Sequence, residues 1–177
     1  MELTRNDTTF LIIDIQERLA RAMPQEGLRL VVANVRRLGA AAAELGIPVL
    51  ATEQYPEGLG PTLDEVREAV EGWAPLEKVA FDCCGADGFE ISTSNVVVTG
   101  METHVCVYQT ARSLVSRGHT VHVVSDAVVS RHPENRDVGL ELMRHAGAII
   151  TSTEAVLYDL LKGSDAPEFK TISKLVR

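Results

Sequence analysis

The 177 residues are 45% hydrophobic and 24% charged, which suits one globular domain with a sizeable core. Lys and Arg number 17 against 25 Asp and Glu, a formal charge of -8 with no basic cluster, so nucleic acid is not an expected partner. No basic-then-apolar leader opens the chain and no apolar run reaches the length of a membrane span, so a soluble, cytoplasmic protein with no membrane partner is expected.

In chain order, strand-length apolar runs alternate with helical patterns. Strands are predicted at Thr8 to Asp14, Ile47 to Thr52, Lys78 to Phe81, Asn95 to Thr99, Thr120 to Ser125 and Ala148 to Ser152. Helices are predicted at about Leu30 to Leu45, Thr62 to Glu71, Thr103 to Arg117, Pro133 to His145 and Thr153 to Leu161. Capping-box spacing at Thr62-Leu-Asp-Glu65 and Thr151-Ser-Thr-Glu154, and Pro133 at a first helical position, mark starts. Gly46, Gly118 and Gly147 mark stops. This alternation predicts an α/β fold: three α/β/α layers around a Rossmann-like, six-stranded, mostly parallel sheet. One domain over 1–177 is expected, with residues 163–177 as a tail whose Phe169, Ile172 and Leu175 stand at helical spacing for docking on the body or on a second subunit.

Such sheets bind ligands beyond the C-terminal ends of their strands, so residues there are the functional candidates. Cys106 follows the run Val96-Val-Val98 and the breaker Gly100, with Thr103 as the expected N-cap. That places the thiol on a first helical turn, where unpaired amides and the helix dipole are expected to lower its pKa. A small buried packing residue is the plainer reading. Asp14 ends the first strand between Ile13 and Ile15; it suits either a general base or a satisfied ion pair. Lys78 is read as opening the third strand, either as surface lysine or as a cation drawn toward a carboxylate and a thiol. Backbone amides of Met101 to Thr103 and of Cys106 are candidate oxyanion donors. Tyr55 and Phe81 could line a pocket and Gln16 or Glu102 could orient a polar group, although each suits a packing or turn residue equally well; the substrate-binding candidates are Gln16, Tyr55, Phe81 and Thr103.

Three cysteines, two of them adjacent at Cys83 and Cys84, make no disulfide framework, and five histidines without ligand spacing make no recognised metal site. Neither a metal nor a cofactor is expected. Packing is the expected role of Cys83 and Cys84, with a redox pair as the alternative.

The residues Asp14 with Gln16, Thr52-Glu-Gln-Tyr-Pro-Glu-Gly-Leu-Gly-Pro61, Lys78 with Phe81-Asp-Cys-Cys-Gly85, Gly100-Met-Glu-Thr-His-Val-Cys106, His122-Val-Val-Ser-Asp-Ala127 and Ser130-Arg131 resemble the isochorismatase-like cysteine hydrolase family, in particular its small domain-containing hydrolases. The resemblance spans nearly the whole chain. It implies an Asp14, Lys78, Cys106 triad, a thioester acyl-enzyme, a cis peptide at Met101-Glu102 and self-association into a homo-oligomer. Family nicotinamidases hold a metal through an Asp-x-His pair where this chain has Thr52-Glu-Gln-Tyr55, so metal-assisted nicotinamide hydrolysis is disfavoured. Retention of Cys106 argues against true isochorismatase activity. The crossover between Phe81 and Asn95 is also shorter than the family's usual helical one.

The function expected is metal-independent hydrolysis of a small amide or related carbonyl substrate. A catalytically silent ligand-binding or oligomeric interaction module on the same fold is the alternative.

Overall fold

The computed structural model describes residues 2–177, in a sheet of six strands flanked by helices. In chain order the elements are β1 (Thr8–Ile13), α1 (Glu17–Ala20), α2 (Gln25–Leu45), β2 (Val49–Gln54), α3 (Pro56–Leu59), α4 (Asp64–Arg67), β3 (Leu76–Lys78), β4 (Asn95–Met101), α5 (Tyr108–Ser116), β5 (Thr120–Val129), α6 (Pro133–His145), β6 (Ile149–Thr151), α7 (Thr153–Leu161) and α8 (Phe169–Leu175). The strand order is β3-β2-β1-β4-β5-β6 and every neighbouring pair is parallel. This is the doubly wound order, whose reversal falls between β1 and β4.

β1 is buried along its whole length, and its alternating side chains feed two cores. Phe10 and Ile12 pack with Val31, Val35 and Leu38 of α2 and with Leu157 and Leu160 of α7. Leu11 and Ile13 pack on the other face with Val107, Ala111, Leu114 and Met143. The tail belongs to the first core. Ile172 of α8 is fully buried there, and the Arg5–Glu168 pair at 2.7 Å ties the tail to the first residues. No helix among the described residues is long and apolar enough to cross a membrane.

Several expected boundaries shift. Lys78 closes β3 instead of opening it, because the apolar residues beyond it, Val79 and Phe81, are 82% and 52% exposed and lie outside the ladder. The helix expected over Thr62 to Glu71 contracts to Asp64–Arg67, since Thr62 instead forms an antiparallel bridge with Gln16 and its amide donates to Glu53. α7 is capped by Ser152, which accepts from the Ala155 amide, one residue after the expected cap. β5 runs on to Val129, and its pairing with β4 slips between Val98↔Val123 and Gly100↔Val128.

Gly100 is needed at its place. Its φ is 124°, and a Cβ there would sit 2.1 Å from the Ile13 carbonyl oxygen. That close approach brings the end of β4 against the end of β1.

Candidate active site

The ends of β1, β2, β3 and β4 lie side by side, and each contributes one or two side chains to a buried polar cluster. Asp14 follows β1 with φ 53°, a left-handed conformation that Asp tolerates better than most residues, and its carboxylate is completely buried. Lys78 ends β3, two strands away. Its Nζ reaches over β2 to Asp14 Oδ2 at 2.7 Å, with both side chains at 0% exposure.

β2 lies between them and supplies the supports. Thr52 and Gln54 share one face of the strand by the period of two. The Thr52 hydroxyl donates to Asp14 Oδ1 at 2.7 Å, and Gln54 Oε1 accepts from Lys78 Nζ at 2.8 Å. Lys78 also donates to the carbonyls of Ala80 and Phe81 at 3.2 and 3.3 Å, so its ammonium is fully engaged. A buried ion pair without such extra bonds would not recover its desolvation cost.

Cys106 arrives from β4. The Met101-Glu102 peptide is cis, and residues Thr103–Val107 form a π-helical turn that runs into α5. Amides of Val105 and Val107 both donate to the Glu102 carbonyl. The expected N-cap is therefore displaced: Glu102 occupies the cap position, and Thr103 lies inside the turn with its buried Oγ1 lacking a hydrogen-bond partner among the described residues. Met101 is still in β4, paired with Val129 and buried, so it belongs to the strand instead of the turn.

Cys106 is 6% exposed, and its thiol lies near enough to Asp14 for the carboxylate's charge to act on it. Its pKa is raised, contrary to the lowering expected from the helix start. Burial is the largest cause, the negative charge of Asp14 comes next, and Lys78 only partly opposes them. The resting group is a protonated thiol beside a carboxylate. Cys83 and Cys84 are likewise pushed up by burial, to about 11 and about 12, so neither presents a thiolate.

The remaining expected residues divide. Gln16 is wholly buried and its carboxamide is committed to structure, donating to the carbonyls of Gln54 and Gly60 and accepting from the Gln54 amide at 2.8 Å. It braces the ends of β1 and β2 and has no free group for a ligand. Glu102 is similarly occupied by Arg131, whose Nε lies 3.1 Å from both carboxylate oxygens and whose amide donates at 2.9 Å. Tyr55 and Phe81 are each 52% exposed, just past the ends of β2 and β3, where they flank the cluster. Tyr55 also borders, with Lys78, Val79 and Ala80, an open cavity of about 370 Å³.

Thr52 and Gln54 were not singled out from the sequence for these roles. The signal was present in their alternation at the end of the strand beside that of Asp14.

This polar cluster, at the strand-order reversal of a 3-2-1-4-5-6 sheet, coincides with a match of residues 8–155 to the isochorismatase domain. The chain belongs to the isochorismatase family. Two relatives show how far the likeness extends along this isochorismatase-family chain. The secreted isochorismatase effector Isc1 of Phytophthora sojae (strain P6497) is 36% identical, over 99% of this chain and 87% of its own length. Isochorismatase domain-containing protein 2 of Bos taurus is 35% identical, over 94% and 81%. The structure of the MAR1 ribonuclease from Caenorhabditis elegans superposes with a TM-score of 0.91 at 36% identity, covering 99% of this chain and 92% of that one. This chain thus carries the fold of isochorismatase-family hydrolases.

Proposed function

We propose that this chain is a metal-independent cysteine hydrolase of a small amide or related carbonyl compound, with Cys106 as nucleophile, Asp14 as general base and Lys78 as its counter-ion. The observation that carries the reading is the buried Cys106 thiol beside the Asp14 carboxylate, which is itself buried and held by Lys78 at 2.7 Å.

Asp14 takes the thiol proton as sulfur bonds to the carbonyl carbon, so no free thiolate has to exist beforehand. The oxygen's developing charge is met by backbone amides at the start of the Thr103–Val107 turn, where the helix N-terminus supplies donors. Collapse breaks the C–N bond, and the departing amine takes the proton from Asp14. Water, deprotonated by the same carboxylate, then attacks the thioester; the acid leaves and the sulfur regains a proton. Lys78 keeps the carboxylate balanced throughout, the task a metal cation would otherwise perform.

Tyr55 and Phe81 give the substrate an apolar, partly exposed rim, and the unpaired Thr103 hydroxyl offers it a hydrogen bond. Self-association into a homo-oligomer accords with the family resemblance and is checked by native mass measurement.

A panel of small amides, esters and an RNA oligonucleotide, assayed with wild type and Cys106→Ala, tests the reading. The RNA is included because the Caenorhabditis elegans relative is described as a ribonuclease; the net charge of -8 disfavours that activity here. Turnover of an amide that disappears in Cys106→Ala supports the proposal. Ligand binding without turnover, unchanged by Asp14→Asn, would instead identify a silent binding module.

A further inference from the structure

Asp14 makes different use of its two oxygens. Oδ2 faces Lys78, whereas Oδ1 accepts from Thr52 Oγ1 at 2.7 Å, and Thr52 is only 1% exposed. A hydroxyl has one proton, so a Thr52 that donates to Asp14 is left to accept from its other neighbour. That neighbour is Cys83 Sγ, at 3.5 Å. Cys83 is fully buried and its amide donates at 3.0 Å to Thr110 Oγ1 on α5, the helix that continues from Cys106. The contacts run from Lys78 to Asp14, to Thr52, to Cys83, and on to Thr110 of the helix that continues from Cys106.

We propose that Thr52, backed by the Cys83 thiol, is the positioning residue that holds the Asp14 carboxylate in the plane that receives the Cys106 proton. This rests on the cysteine-hydrolase reading and deepens it. Lys78, with three donors on a long stem, constrains the carboxylate's position but not its rotation; without the second anchor both oxygens can turn toward the ammonium and away from the sulfur.

The charged and titratable groups facing Asp14 are Lys78 from β3, Cys106 from the turn after β4, and Cys83 from the segment after β3. Thr52, the neutral group from β2, is the only one of these neighbours that can be changed without altering charge or removing a thiol. Cys83 keeps its proton across the working range because burial raises it to about 11. Its S–H therefore stays available to donate to Thr52 Oγ1.

Alkylation of Cys106 by iodoacetamide reads the arrangement without a known substrate. The C–S bond forms, iodide departs, and the thiol proton passes to Asp14. The rate is followed by peptide mass spectrometry at one fixed pH near neutrality.

In Thr52→Val, Cys106 alkylation is expected to slow about tenfold, because the carboxylate is no longer held facing the sulfur. Thr52→Ser should restore the rate, and Cys83→Ala should slow it less than Thr52→Val does. Thr52→Ala removes the same hydroxyl and serves if the valine does not fold. A rate that stays at the wild-type value in Thr52→Val or Thr52→Ala while Cys106 remains the labelled residue overturns this inference alone. Labelling of Cys83 or Cys84 in place of Cys106 in wild type removes the hydrolase reading together with it.

Discussion

Lys78 and Asp14 stand on strands separated by β2, yet Lys78 Nζ meets Asp14 Oδ2 at 2.7 Å with neither side chain exposed to solvent. The pair spans the strand whose Thr52 and Gln54 support it from beneath. Its stability consequence is asymmetric. Removing one buried charge leaves the other without compensation, at a cost of about 3–5 kcal/mol, whereas replacing both is often near neutral. Lys78→Met and Asp14→Asn are each expected to lower unfolding free energy, and the double variant to regain most of the loss while remaining inactive. Urea denaturation of the four proteins checks this; a double variant less stable than either single one would contradict it.

Burial and Asp14 keep the Cys106 sulfur protonated at rest. Ultraviolet thiolate absorbance, taken as wild type minus Cys106→Ala, is therefore expected to be absent at neutral pH and to emerge only well above the ordinary thiol value of 9.0. A plateau reached near neutrality would show a preformed thiolate and remove the need for Asp14 as base.

The same sulfur chemistry makes stability fall in alkali. Cys83 titrates at 9.0 when unfolded and about 11 when folded, so its contribution is complete below about pH 9 and is lost as pH rises through 11. A difference of that size is on the order of 3 kcal/mol for a fully buried thiol. Wild type should show a steeper decline between those pH values than Cys83→Ala, measured as the slope of unfolding free energy against pH. Equal slopes would mean that this thiol is not desolvated in the native protein.

Gly139 of α6 supports the turn carrying Cys106 from outside the polar cluster. A Cβ there would lie 2.9 Å from the Cα and amide nitrogen of His104 and from the carbonyl carbon of Thr103. Backbone cannot yield as a flexible side chain does, so Gly139→Ala should displace the turn carrying Cys106. Cys106 alkylation by iodoacetamide is expected to slow about tenfold or more, with circular dichroism near that of wild type. An unchanged rate would show that the turn tolerates the shift.

Much of this arrangement was legible in the sequence because function in a parallel sheet collects at strand ends. Asp14 and Cys106 follow apolar runs that are unambiguous strands, and the alternating pattern set the layers. Lys78 was assigned to the correct strand but the wrong end, since Val79 and Phe81 read as strand core and prove to be exposed. The thiol's pKa direction failed for a different reason. A helix start favours thiolate, and the sequence shows that start; it does not show that the group is desolvated beside a carboxylate, and those two effects prevail. Gln16 looked like a ligand group because its neighbours look like a site, although its carboxamide is consumed by the backbone of Gln54 and Gly60. The partnership of Thr52 with Asp14 depends on the order of strands in space, which no local pattern encodes.

The most direct test of the account is the mass of the covalent intermediate. Acid-quenched wild type, mixed with an amide that it turns over, should carry the acyl group on the peptide containing Cys106, and Cys106→Ala should carry none and release no product. Sustained turnover by Cys106→Ala, or an acyl group found on Cys83 or Cys84, would contradict it.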